Sequence, residues 1–151
     1  MTTAEPGPPL VPFLKRSATG APYLAGSKCQ ACGTVFAGER QVCARCTARG
    51  QMLPVQLAET GKLYVYTIVH RSFPGVQTPF IDAIVDLDDG SHLKGTLLHA
   101  AADPAALAFD MKVKIIYHEA TPHNAGGAPY LTYGFVPADE KCVLMRGAAD
   151  E

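Results

Sequence analysis

Four of the five cysteines stand as Cys29-Gln30-Ala31-Cys32 and, after ten intervening residues, Cys43-Ala44-Arg45-Cys46. Each pair is a Cys-x-x-Cys knuckle, a tight turn that lets both sulfurs face one metal ion. Two knuckles joined by a short hairpin complete a tetrahedral shell of four thiolates, which suits zinc. The expected ligands are therefore Cys29, Cys32, Cys43 and Cys46. Iron in a four-sulfur shell uses the same ligands, and spacing does not separate the two metals. Four thiolates leave no open coordination position, so the expected role is structural: the metal folds a segment too small to have a core of its own. Two such pairs also argue against a redox dithiol. Gly33 follows the first knuckle, where the chain must turn tightly. Lys28, Arg40, Arg45 and Arg49 lie near enough in sequence to offset the double negative charge of a zinc–tetrathiolate centre. Cys142, about a hundred residues away, reads as an ordinary thiol.

In a reducing compartment, clustered cysteines more often bind metal than form disulfides. The start of the chain, Met1 to Pro9, lacks the basic-then-apolar order of a secretory signal. No run reaches the roughly 18 apolar residues of a membrane span. A cytoplasmic protein without a membrane partner is expected. Net charge is −1, but it is divided: residues 1–54 hold six Lys/Arg against two Glu, and residues 55–151 hold seven against twelve Asp/Glu.

The chain divides into residues 1–22, a leader and short helix; 23–54, the zinc ribbon; 55–137, a barrel; and 138–151, a C-terminal tail. Met1 to Pro9 reads as disordered. Leu10, Val11, Phe13 and Leu14 predict a short helix, with Pro12 in its first turn and Thr19-Gly20-Ala21-Pro22 as its stop. That helix packs on its own domain or docks on a partner. Tyr23-Leu24-Ala25 and Thr34-Val35-Phe36-Ala37 read as strands flanking the first knuckle.

From Thr60 the period becomes two. Leu63, Val65, Thr67 and Val69 alternate with Tyr64, Tyr66, Ile68 and His70 in a long strand. Phe80 to Leu87 is the next strand, Asp88-Asp89-Gly90 a hairpin signal and His92 to Leu98 a third strand. Asp103-Pro104 caps a single helical turn. Met111 to Tyr117 and Tyr130 to Val136 are the last two strands, separated by a Gly/Pro/Asn loop. Five strands with a small helix between the third and fourth predict a mainly β chain with a five-stranded OB-fold barrel, a small open sheet being the competing architecture.

A search for catalytic residues finds no self-sufficient site. His70, His92, His99, His118 and His123 have no metal spacing, and there is no nucleophile elbow or phosphate loop. Asp86, Asp88 and Asp89 read as a solvated hairpin tip. No catalytic residue is assigned.

The stretch from Gly26 to Phe36, with the Cys43–Cys46 knuckle, resembles the rubredoxin-like zinc ribbon of the acyl-CoA-associated zinc-ribbon/OB-fold family. Gly61 to Arg71 resembles that family's first barrel strand, and Phe80 to Gly90 its next hairpin. The resemblance runs over roughly residues 10–136 and carries over securely only at the four cysteines. His70 and Arg71 match a strand-end motif of unassigned role. The resemblance implies a non-catalytic accessory subunit, paired in a hetero-oligomer with a thiolase-fold catalytic subunit that binds the CoA thioester. Two-subunit thiolases of aromatic degradation, acting on 3-oxoacyl-CoA substrates such as benzoylsuccinyl-CoA, are the most similar members. Thiolase-fold aldolases of steroid side-chain degradation are the alternative, and the lack of a fused hydratase domain favours a thiolase.

Two other functions compete. Zinc ribbons and OB folds bind nucleic acid, and Tyr64, Tyr66 and Phe73 could stack bases; the net −5 of the barrel segment opposes a phosphate backbone. A stand-alone acyl-CoA binder would need an anion site, for which Lys28, Arg40, Arg45 and Arg49 are the candidates. In the tail, the apolar run Cys142 to Met145 either folds back on its own chain or reaches onto the partner.

Overall fold

The structure, a computed structural model, describes residues 7–122 and 127–138. The apolar run at residues 10–14 does not form a helix. After one turn, closed by the Leu14 N–H on the Val11 carbonyl at 3.1 Å, the chain enters strand β1, Leu14–Arg16. Gly20, at φ +84°, turns it back into β2, Pro22–Cys29. Leu14 pairs with Leu24, and each is only 1 % exposed. A five-residue apolar run fits either a short helix or a buried strand, and pairing with β2 decides for the strand here. Thr19 to Pro22 is therefore a hairpin turn and not a helix stop.

β3 (Val35–Ala37) and β4 (Met52–Gln56) flank β2 on its two sides, both antiparallel. Gly26 sits at the middle of this sheet. A Cβ there would lie 2.3 Å from Leu57 Cδ2 and 2.6 Å from the Phe36 carbonyl oxygen, so only glycine lets the layers approach this closely.

The second half of the chain follows its alternation. β5 (Thr60–Val69), β6 (Phe80–Leu87), β7 (His92–Leu97), β8 (Lys112–Ala120) and β9 (Tyr130–Pro137) close a barrel in the order β5-β6-β7-β9-β8. All neighbours are antiparallel except β7 and β9, which meet in parallel at Leu97 and Phe135. That crossed order is a five-stranded Greek key of the OB type, which excludes the open sheet. The inward positions, among them Leu63, Ile81, Ala83, Val85, Leu93, Val113 and Phe135, are buried in one apolar core that also takes Leu14, Leu24 and Val35 from the first half. Between β7 and β8, Pro104–Ala106 form a single 3-10 turn capped as expected: the Asp103 carboxylate accepts the Ala105 N–H at 2.9 Å.

Two expectations need correction beyond the helix. Residues 8–10 of the leader are structured: Leu131 N–H donates to the Pro8 carbonyl at 2.9 Å and Leu10 N–H to the Leu131 carbonyl at 2.8 Å, laying the segment along β9. The aspartates at the β6–β7 tip are more than a solvated cluster. Asp89 accepts the Ala58 N–H at 2.7 Å and the Ser91 N–H at 2.8 Å, and Asp88 accepts from the Thr60 hydroxyl. The carboxylates thus tie the hairpin to the start of β5, and the buried Ser91 finds its partner there.

Candidate metal centre

Both knuckles have the same backbone. Gly33 N–H donates to the Cys29 carbonyl at 2.8 Å, and Thr47 N–H donates to the Cys43 carbonyl at 3.0 Å. The donors Gly33 and Thr47 each follow the second cysteine of their knuckle, and both lie in the left-handed region, at φ +76° and +62°. The turn needs a positive φ at that position, whichever residue supplies it. β2 delivers Cys29 and the turn into β3 delivers Cys32. The second knuckle is held by its own short bridge, Val42 to Arg49.

The result is a quartet. The sulfurs of Cys29, Cys32, Cys43 and Cys46 all lie within 4.8 Å of one another, with Cys29 to Cys46 at 3.7 Å and Cys32 to Cys43 at 3.6 Å. A disulfide would need about 2.05 Å. A metal ion bonded to sulfur at about 2.3 Å places tetrahedral corners about 3.8 Å apart. The quartet therefore has the size of a four-sulfur metal shell and could hold such an ion. It is the group of three or more potential ligands found among the described residues.

The surroundings prepare two of the sulfurs, those of Cys32 and Cys43, to ionise. Arg45 N–H and Cys46 N–H both point at Cys43 Sγ, at 3.4 and 3.5 Å, and the Cys46 amide is the main cause that lowers the Cys43 thiol below its ordinary value. The Thr34 hydroxyl, 3.2 Å from Cys32 Sγ, and then the Thr34 backbone lower Cys32 to about 6. Cys46 goes the other way. The Ala48 backbone N–H lowers it, but loss of solvent and the adjacent sulfurs outweigh this and raise it to about 12. Thiolates this close repel, and a cation among them is what lets all four ionise together.

The basic residues expected to offset the charge divide their work. Arg45 reaches Thr34 Oγ1 at 3.4 Å, beside Cys32. Arg40 instead lies over the Phe36 ring, 4.7 Å from its centroid.

No histidine joins a group of potential metal ligands among the described residues. His92 Nδ1 meets Asp86 on the exposed barrel wall at 2.6 Å. His118 lies within β8, its Nδ1 buried without a hydrogen-bond partner among the described residues, and burial and then the nearby His99 lower its pKa. His123 and Cys142 lie outside the described residues. A groove of about 500 Å³ between β1 and the cysteine ribbon is lined by Phe13, Lys15, Ser27, Arg40 and Met52, with no cysteine or histidine. Its serine is already engaged, donating to the Gly38 carbonyl at 2.8 Å and accepting the Arg40 N–H at 3.1 Å. The hydroxyls of Ser91 and Thr60 do meet carboxylates, Asp89 and Asp88, but as part of the hairpin tie already described.

Residues 54–118, most of the barrel, match the family model described as the ChsH2 C-terminal OB-fold domain. The chain is 28 % identical over 115 residues to a DUF35 domain-containing scaffold protein of Methanocaldococcus jannaschii, covering 74 % of this chain and 78 % of that one. The matched proteins are described as DUF35 proteins, the family that this chain resembles. The acyl-CoA-associated resemblance read from the sequence is to this same family. Another relative, the benzoylsuccinyl-CoA thiolase subunit BbsA of Thauera aromatica, is 27 % identical over 115 residues, 76 % of each chain. Among solved structures, the Ltp2-ChsH2(DUF35) aldolase superposes with a TM-score of 0.60 at 28 % identity, covering 77 % of this chain and 85 % of that chain. No helix among the described residues is long and apolar enough to cross a membrane.

Proposed function

We propose that this chain is a non-catalytic accessory subunit of a thiolase-fold acyl-CoA enzyme, with a structural zinc ion held by Cys29, Cys32, Cys43 and Cys46. The observation that carries the reading is the closed four-sulfur shell. It spends every cysteine of the described residues on one centre and leaves none as an acyl-accepting nucleophile. The relatives supply the context: they include a thiolase subunit and the DUF35 component of an aldolase. In this reading the chain's own contribution is shape. The zinc clamps the ribbon, the ribbon shares its core with the barrel, and the two together present a rigid surface to the subunit that binds the CoA thioester.

The specific enzyme we propose is a 3-oxoacyl-CoA thiolase of the benzoylsuccinyl-CoA type in aromatic degradation. Two BbsA chains stand among the relatives, one of them 34 % identical over 71 residues. An acyl-CoA aldolase of steroid side-chain degradation is the second reading, favoured by the superposition on the Ltp2-ChsH2 structure. Affinity purification from the native host separates them. Co-elution of a thiolase-fold subunit that cleaves a 3-oxoacyl-CoA with free CoA supports the first, and one that cleaves a 3-hydroxyacyl-CoA by retro-aldol reaction supports the second. Retention of nucleic acid in place of any such subunit would contradict both.

A further inference from the structure

β5 is longer than the barrel needs. Its first three residues, Thr60 to Lys62, pair with β8, and Leu63 is covered by main-chain bonds to Asp110 and Met111. From residue 64 onward, β5 pairs with β6 alone among the described residues. One edge of residues 64–69 is therefore open, and an open edge is a row of main-chain donors and acceptors awaiting a strand.

Such edges are normally blunted by charge, proline or shortness. Tyr64-Val65-Tyr66-Thr67-Ile68-Val69 has no charge, no proline and no glycine, and consists of strong strand formers. The one blunting device present is the bulge between Leu63 and Val65, which comes at the start of the segment and leaves the rest straight. A six-residue window of this composition is an aggregation hazard unless something covers it. Apolar groups also line it: Tyr64 is 60 % exposed, and Phe109, 67 % exposed, stands against Tyr66 with ring centroids 5.8 Å apart. Beyond the strand come Arg71, exposed and without an ion-pair partner among the described residues, and Phe73, 84 % exposed.

We propose that the open edge of β5, residues 64–69, receives an extended segment of the catalytic subunit as an added strand, with a carboxylate of that segment meeting Arg71. This rests on the accessory-subunit reading and names its docking surface. The charges favour a different chain over a second copy of this one. An antiparallel copy that covers residues 64–69 in full register brings Arg71 of each chain against Lys62 of the other, a like-charge contact at both ends. A partner segment with apolar residues along its length and an acid at one end has no such conflict.

Amide hydrogen exchange is followed on the full chain alone and mixed with the purified thiolase-fold subunit that co-elutes with it from the native host. Slowed exchange at residues 64–69 on mixing is expected. Thr67→Lys, on the solvent face, and Arg71→Glu should each weaken the complex by roughly tenfold or more while leaving zinc content and circular dichroism unchanged. Binding within about twofold of wild type for both variants, or protection confined to another face, would overturn the docking surface and leave the accessory role standing. Failure of the wild-type chain to bind any thiolase-fold subunit would overturn both. Self-association lost in Thr67→Lys would assign the edge to a second copy and overturn the proposed occupant.

Discussion

The sulfurs of Cys32 and Cys43 stand 3.6 Å apart although they belong to different knuckles, eleven positions from one another. This contact and the one between Cys29 and Cys46, at 3.7 Å, both cross between the knuckles, so neither half of the centre is complete alone. Replacing one ligand should therefore disable the whole site. Cys32→Ser is expected to lose its zinc, measured by metal analysis, and with it a cooperative thermal transition, because metal binding and folding are one equilibrium in a segment this small. A zinc-free variant with an unchanged transition would remove the structural role.

The equivalent positions Gly33 and Thr47 allow a backbone test independent of ligands. Gly33 has open space around its missing Cβ, so Gly33→Ala reports the cost of the left-handed conformation alone, about 1–2 kcal/mol of stability. Thr47→Gly relieves a branched residue at φ +62° and should stabilise the fold by up to about 1 kcal/mol. Chemical denaturation of the zinc-loaded proteins measures both.

Asp89 offers a prediction about how the two halves are joined. Its carboxylate serves Ala58 N–H, Ser91 N–H and the Ser91 hydroxyl. Asp89→Ala strands those donors in a partly buried setting and should lower stability by about 2–3 kcal/mol, seen in the urea midpoint. Asp86→Ala, which removes an exposed contact with His92, should cost under about 1 kcal/mol.

The period-two segments were the legible part of this fold. Phe80 to Leu87 alternates cleanly, and it is β6 from end to end. The quartet was equally legible, because two identical knuckles state their own geometry. β4 was missed because Pro54 interrupts it. β4 pairs only with β2 and so is an edge strand, where a proline is tolerated. The run Leu10 to Leu14 carried no periodicity that separates helix from strand; its partner, Leu24, lies across a turn that looked like a helix stop. The structure of residues 8–10 depends on contact with Leu131, more than a hundred residues away, and no local signal announces it. The second role of Asp89 was hidden for the same reason: its partner, Ala58, is a backbone amide.

His118 gives a pH prediction. Burial, then the His99 charge, hold its folded pKa below the ordinary 6.5. The unfolded chain therefore takes up a proton below about pH 6.5 that the folded chain resists, and stability falls as the solution is acidified. His118→Leu should flatten the slope below about pH 6.5, read as the difference between variant and wild type in denaturant midpoints so that protonation of the cysteine site cancels.

The account turns on catalysis by the partner and not by this chain. The direct measurement is CoA-dependent cleavage of a 3-oxoacyl-CoA such as benzoylsuccinyl-CoA by three preparations: this chain, the co-eluting thiolase-fold subunit, and the two combined. The account predicts no turnover by this chain alone and full turnover only in the combination. Sustained turnover by this chain freed of its partner, abolished by a substitution within it, would contradict it.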